Sequence, residues 1–504
     1  MNPLSITLAA SEAQGEGALA LVSAEQSFSF AALAAATAPR VRRLLDAGLP
    51  ARRPVALVAH PDPPSIITLL ALLEHGAPAL LLHPRWTATE RAAVLAQARP
   101  ALVIDHDDWQ VPATATSATT TTTTTAAPCT APDTAAIVYT SGSTALPRGV
   151  ELSTGALVAA AAASAANLGW QADDRWLMCL PFAHVGGLSI ITRCLLARRG
   201  IALGAPDPAT LVATLAHTRA TLLSLVPTTL ARVLDHGAPP PPHLRAVLLG
   251  GAAAAPTLLT RARAAGWPIL TTYGLSETAA QVATQRYPRS TSTSTSTSTS
   301  TSTSTSTSTS IDTGPPLPGI ALRIGPDQHI QVAGPTLFTG YFPGPPRAAG
   351  WFDTGDLGHL DAAGNLHVHG RADDVIITGG ENVSPTEVEA ALTAIPGVTA
   401  ACVFALPDAT WGSLVAAALI TTTSAPPSDA ALAAALATTL APYKRPRLVA
   451  DLELPVLPTL ASGKLDRIAC ARAASARLRP LVYPPAGPAS PANAATIAAG
   501  GAAR

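Results

Sequence analysis

The residues best suited to chemistry begin with a short loop, Tyr139-Thr140-Ser141-Gly142-Ser143-Thr144, which continues through Pro147 and Arg148 to Gly149 and Val150. Small residues let backbone N–H groups approach a polyphosphate, hydroxyls add donors, and Arg148 supplies positive charge. The G-x-x-x-x-G-K-[ST] spacing of a Walker A loop is absent. Taken alone, the segment fits a Ser/Gly turn between strands equally well. Glu277, in Tyr273-Gly274-Leu275-Ser276-Glu277-Thr278, is a hard carboxylate suited to Mg²⁺, or else a solvated turn acid. Asp356, in Thr354-Gly355-Asp356, can accept two hydroxyl hydrogen bonds, or cap a turn. Lys464, in Ser462-Gly463-Lys464, is a mobile cation able to pair with a carboxylate and a phosphate as charge reorganises, or an ordinary exposed lysine. Arg371 can bond ribose or phosphate, or make a surface ion pair. His184, among apolar neighbours, suits a packed core at least as well as a catalytic site.

These groups need a scaffold, and the chain between them has an α/β rhythm. Residues 53–59 read as a short buried strand, 65–74 as a helix and 78–83 as the next strand. Farther on, 211–216 reads as helix, 221–226 as strand, 228–235 as helix and 244–249 as strand. Short Val/Leu/Ile runs alternating with helices imply mostly parallel sheets covered on both faces, an α/β fold. Ligands of such sheets sit at the carboxyl ends of strands, where Gly/Ser/Thr-rich turns follow 135–139 and 246–249. Three stretches stand outside the rhythm: the Thr/Ala tract 113–125, the Ser-Thr alternation 290–310, and the Pro/Ala/Gly-rich tail within 481–504. They lack large apolar side chains to offset their ordering entropy. The first two therefore read as surface linkers and the tail as disordered.

With 504 residues the chain is long enough for more than one domain. Lys+Arg and Asp+Glu balance at 32 each, so no basic excess points to nucleic acid and no acidic tail to a cationic partner. A small-molecule substrate is expected. The five cysteines, Cys129, Cys179, Cys194, Cys402 and Cys470, are scattered and form no C-x-x-C pair, which suits free thiols in a reducing cytoplasm. No signal peptide is read at the N-terminus, and the apolar stretch 66–82 is interrupted by Glu74, His75, Gly76 and Pro78, so no membrane span is expected.

The loop 139–150 resembles the phosphate loop of the adenylate-forming superfamily, which includes acyl-CoA synthetases, luciferases and peptide-synthetase adenylation domains. That family usually writes Y-T-S-G-[ST]-T-G-x-P-K-G-V. Leu180-Pro181-Phe182-Ala183-His184 with Gly187-Leu188 is similar to its L-P-x-x-H-x-x-G-L segment, and Gly250-Gly251-Ala252-Ala253 to the turn against adenine. Thr272–Thr278 (numbers 272–278) is similar to Y-G-x-T-E, and Trp351 to Asp356 to W-x-x-T-G-D. Gly370-Arg371 with Asp373-Asp374, then Gly379-Gly380-Glu381-Asn382, resembles the hinge region, and Ser462 to Arg467 the C-terminal lysine motif. All seven stand in the family's order, and the resemblance covers roughly 30–472.

The resemblance implies a large N-terminal domain, 1–370, and a small mobile α+β domain, 371–480, joined by a hinge at Asp373. It implies ATP, Mg²⁺ and CoA as partners of a carboxylic acid that is first adenylated and then transferred to the CoA thiol. ATP and AMP would be held by Thr140, Ser141, Gly142, Ser143, Thr144, Arg148, Gly251, Ala252, Thr272, Tyr273, Gly274, Ser276, Asp356 and Arg371. The metal would fall to Glu277 and Thr144, the catalytic work to Lys464, Glu277 and His184, and CoA to Gly379, Gly380 and Glu381. The acyl group would meet His184, Arg193 and Gly250. The segment 184–193 looks most like the o-succinylbenzoate–CoA ligase branch of menaquinone biosynthesis, in which an arginine at this distance faces an aromatic carboxylate. Guanidinium geometry matches carboxylate, although Arg193 could instead cap its helix. Another acid, or a carrier protein in place of CoA, stays open, as does a homodimer. Ala145 and Arg148 depart from the family's usual glycine and lysine.

Overall fold

The structure is a computed structural model. It describes residues 2–13, 18–49, 52–110, 133–140, 148–288, 311–379, 381–408, 410–422, 426–460 and 464–483. Ser141, Gly142, Ser143 and Thr144 of the loop, Gly380, both low-complexity tracts and 484–504 lie outside those residues. The chain divides into two compact units. One comprises Met1–Asp374 with Thr459–Leu465, and the other Val375–Pro458 with Asp466–Arg504.

The first unit is built on parallel sheets, as the rhythm of apolar runs requires. A seven-stranded sheet centres on Thr134–Thr140, Ala79–Leu82, Val55–Val58 and Leu102–Asp105, all parallel. Every residue of Val55–Val58 and Ala79–Leu82 is buried, which is why these strands are continuous apolar runs with no polar face. Each such Val or Leu contributes about 1.5–3 kcal/mol by leaving water. An eight-stranded sheet carries Ile269–Leu275, Ala246–Leu249, Leu222–Leu225, Arg175–Met178 and Gly200–Leu203 in parallel. Helices close the crossovers with ordinary caps. Pro63–His75, for example, starts at Asp62, whose carboxylate accepts the Ser65 N–H, and stops at Gly76 with φ 77°.

Residues 311–371 depart from the α/β rhythm and, apart from Gly340–Phe342, which joins the seven-stranded sheet, supply a five-stranded antiparallel sheet. Its long strand Phe352–Leu360 alternates buried and exposed residues and includes Asp353, Asp356 and His359. It therefore lacks the apolar run by which the parallel strands are recognised.

The second unit is α+β. Val398–Asp408, Gly412–Thr421, Leu448–Asp451 and Arg479–Pro480 form its sheet, with the hairpin Ile376–Thr378/Glu381–Val383 beside it. Helices Pro385–Thr393 and Asp429–Thr439 pack on a core that includes Val388, Leu392, Val403, Leu419 and Leu436. No helix among the described residues is long and apolar enough to cross a membrane.

Candidate active site

Most of the sequence-predicted residues of the first unit lie where parallel strands end. Thr140 closes its strand and pairs across the loop with Arg148, whose carbonyl accepts the Thr140 hydroxyl at 3.4 Å. The Arg148 guanidinium stands 5.6 Å from the centre of the Tyr341 ring. Tyr341 in turn donates its hydroxyl to Glu277 Oε1 at 3.0 Å. Burial and the Glu277 charge push the Tyr341 phenol up to about 12. Glu277 sits with Ser276 in the short 3₁₀ turn Ser276–Thr278 that follows Ile269–Leu275, and its carbonyl accepts the Phe338 N–H at 2.9 Å. The chain reverses here with Gly274 packed so tightly on Ala280 that no Cβ fits. A single carboxylate with open oxygen positions suits Mg²⁺, which binds by one or two carboxylates plus phosphate oxygens. Glu277 is thus a fitting protein ligand.

A second cluster joins the two kinds of sheet. Tyr273 donates its hydroxyl to Asp356 Oδ2 at 2.6 Å, and Arg371 Nη1 lies 3.2 Å from Asp356 Oδ1. Arg371 Nη1 also donates to the Thr354 carbonyl at 3.2 Å. Burial raises the Asp356 carboxyl above its ordinary value, while Arg371 and Tyr273 pull it back. Burial opposes the charge on Arg371, yet Asp356 and Asp373 hold it above its ordinary value. Arg371 reaches Asp373 at 3.9 Å, so the predicted hinge residue is tied to the same cation. Tyr273 is only 9% exposed, which leaves it little ring surface for stacking in this arrangement.

Thr272 donates its hydroxyl to the Ala283 carbonyl and underlies Gly250, where a Cβ would meet its Cγ2 at 2.7 Å. Gly251 has φ 80°, a turn conformation that glycine adopts without strain, and Ala252 beside it is exposed. Both follow Ala246–Leu249 directly.

His184 is the N-cap of helix Val185–Ala197, but its side chain makes no capping bond. Its backbone N–H donates to Pro181 at 3.1 Å. Its Nε2 is buried without a hydrogen-bond partner among the described residues. Burial, with Lys464 and Arg85 adding positive charge, pushes this imidazole down to about 4. His83, which ends the run after Ala79–Leu82, stands 5.1 Å from it between ring centres and was not anticipated as a site residue. A histidine closing a buried parallel strand was a usable signal, because that is where ligands bind. Tyr341 was also missed. Nothing in its local sequence links it to Glu277, 64 residues earlier.

Arg193 lies nine residues past His184 on the same helix, roughly 13 Å along the axis. Helical side chains lean toward the N-terminus, so part of that distance can be recovered. Its guanidinium sits 5.3 Å from the centre of the Trp176 ring and is 3% exposed. Nε and Nη2 have no hydrogen-bond partner among the described residues. Burial pushes it down to about 10.

In the second unit Gly379, at φ 59°, donates its N–H to the Trp411 carbonyl at 2.9 Å and lies against the Trp411 ring. Glu381 is exposed on the hairpin strand that follows. His60 and His106, elsewhere in the first unit, stack at 4.3 Å and are held by Asp105 and Asp62 at 2.9 and 2.7 Å. Stacked rings direct their lone pairs side by side rather than to one point, so this group reads as a hydrogen-bonded cluster.

Two family models match in tandem: AMP-binding enzyme over residues 8–342, and AMP-binding enzyme C-terminal domain over 387–464. The chain belongs to the AMP-binding enzyme family and is an ATP-dependent, AMP-forming acid–thiol ligase of the acyl-CoA synthetase superfamily. It is 34% identical over 463 residues to a 2-succinylbenzoate–CoA ligase of Geobacillus kaustophilus, covering 87% of this chain and 91% of that one. Among solved structures it is similar to the o-succinylbenzoate CoA synthetase of Bacillus subtilis in complex with the acyl-adenylate intermediate OSB-AMP. That likeness has a TM-score of 0.76 and 27% identity, over 93% of this chain and 97% of that one. ATP-bound MatB from Rhodopseudomonas palustris has the same TM-score, 0.76, at 26% identity, over 93% of this chain and 98% of that one. Backbone similarity therefore does not choose the acid; the residues around the acyl group must.

Proposed function

We propose that the chain is a cytoplasmic carboxylate–CoA ligase whose acid is 2-succinylbenzoate, in menaquinone biosynthesis. The observation that carries the choice of acid is Arg193, a buried cation whose Nε and Nη2 lack hydrogen-bond partners among the described residues. A buried charge is costly unless an opposite charge meets it. A second carboxylate on the substrate, remote from the one being activated, supplies that charge with matched geometry. A monocarboxylic fatty acid would leave it unmet. The names of the relatives support the same acid.

In the first step a carboxylate oxygen attacks the α-phosphorus of ATP and pyrophosphate leaves. Lys464 pairs with charge on both reactants in the pentavalent transition state, Arg148 and the loop hold the polyphosphate, and Asp356 with Arg371 takes the ribose hydroxyls. Mg²⁺ at Glu277 would neutralise phosphate charge. Because Tyr341 and Tyr273 occupy Glu277 and Asp356 with hydrogen bonds, nucleotide binding exchanges partners there. In the second step the CoA thiol attacks the acyl carbon, AMP leaves with the bonding pair, and the thiol proton passes to solvent. A hinge at Asp373 would let Lys464, on the segment grouped with the first unit, act in the first step, and Gly379, Gly380 and Glu381 serve CoA in the second.

The test is a complete reaction with ATP, Mg²⁺, CoA and a panel of acids, with AMP and thioester quantified. Thioester from 2-succinylbenzoate above all other acids supports the reading. Thioester from aryl or medium-chain acids alone overturns the choice of acid. Adenylation without transfer to CoA, but with transfer to a carrier protein, would overturn the choice of thiol.

A further inference from the structure

His83 directly follows the strand Ala79–Leu82, His184 caps the helix that follows Arg175–Met178 of the other sheet, and their ring centres are 5.1 Å apart at a tilt of 40°. His83 is 1% exposed. Its Nδ1 accepts the Arg85 N–H at 3.1 Å, which places the proton of the neutral ring on Nε2. That Nε2–H is buried with no acceptor among the described residues, and the Nε2 of its neighbour His184 is likewise buried without a partner there. Both rings lie low, at about 4, chiefly through burial. Arg85 and Lys464 add positive charge around them, and Glu90 opposes it at His83. His83 is therefore a neutral donor at physiological pH. A buried donor left unpaired is unfavourable, and folded proteins rarely keep one unless a ligand or water completes it.

We propose that His83 is an acid-binding residue: its Nε2–H donates a hydrogen bond to an oxygen of the carboxylic acid substrate, with His184 as the second wall of the same pocket. The inference rests on the reading of His184 as an acyl-pocket residue. It explains why a strand otherwise made of Ala and Leu closes on an imidazole. Specificity follows, because a site with a buried unpaired donor discriminates against ligands that offer no acceptor.

Two substitutions separate the distal donor from the local turn. His83→Asn keeps an acceptor for the Arg85 N–H, in the place of Nδ1, but cannot reach as far as Nε2. His83→Gln places an amide N–H near the position of Nε2. The measurement is ATP–pyrophosphate exchange by the full chain, with KM determined separately for the acid and for ATP, and thermal melting to verify folding. The expected result is an acid KM raised about 10-fold or more in H83N with the ATP KM within twofold, and most of that loss restored in H83Q. An unchanged acid KM in H83N, equal rises in both KM values, or an H83Q as impaired as H83N would overturn the inference. Absence of exchange by the unaltered chain with every acid would overturn the ligase reading, and this inference with it. Exchange by the unaltered chain with an indifferent H83N overturns this inference alone.

Discussion

The proposed nucleotide side and the proposed acyl side of this site are built on opposite principles. On the proposed nucleotide side Glu277 holds Tyr341, and Asp356 holds Tyr273 and Arg371. On the proposed acyl side His83, His184 and Arg193 carry buried polar atoms with no hydrogen-bond partner among the described residues. The first arrangement is stable without ligand and must exchange hydrogen bonds to bind. The second costs stability in the free protein and regains it from the substrate. Selectivity is then expected on the acyl side, where the wrong ligand leaves buried groups unmet.

The largest expected effect belongs to the nucleotide side. Lys464→Ala should lower adenylation by about 10²–10³-fold while sparing thioester formation from supplied acyl-adenylate. Equal loss of both half-reactions would refute the two-orientation scheme. On the acyl side, Arg193→Met should raise the acid KM by roughly 10²-fold yet stabilise the ligand-free protein by about 1–3 kcal/mol, as removal of an unmet buried charge does. A variant that melts earlier and still prefers dicarboxylic acids would mean that Arg193 only packs on Trp176.

The imidazoles give a pH signature. His83 and His184 lie at about 4 in the fold against an ordinary 6.5, so between those values the unfolded chain binds more protons. Their contribution to stability is complete above pH 6.5 and is lost as pH falls toward 4, by roughly 3 kcal/mol per ring. Urea unfolding at pH 7 and pH 4.5 should show this dependence, and H83N/H184N should flatten it. An undiminished slope in the double variant would place the titration elsewhere. The smallest effect is at Tyr341→Phe, which frees Glu277 of an internal donor. The Mg²⁺ concentration for half-maximal activity should fall about 2–5-fold. A rise would show that the tyrosine orients the carboxylate for the metal instead of competing with it.

The parallel scaffold was legible because its strands are buried on both faces. The runs 53–59, 78–83, 221–226 and 244–249 each contain an observed strand, from Val55–Val58 to Ala246–Leu249. The antiparallel sheet of 311–371 was not, since its alternating strands mix Asp, His and Gly with the apolar residues. Asp356, Glu277 and Arg371 could be picked out because short motifs surround them. Their partners Tyr341, 64 residues from Glu277, and Tyr273, 83 residues from Asp356, meet them only through the fold. His83 escaped notice for a related reason. Its neighbour His184 caps a helix in the crossover after a strand of the other sheet, and no local spacing announces that contact.

The claim that unmet groups on the acyl side select a second carboxylate is tested most directly by one comparison of rates. ATP–pyrophosphate exchange would be measured with 2-succinylbenzoate and with 3-benzoylpropionate, the same acid without its ring carboxylate. The account predicts a preference of about 10²-fold for the dicarboxylic acid, collapsing to near parity in R193M. Equal exchange with both acids in the unaltered chain would contradict it.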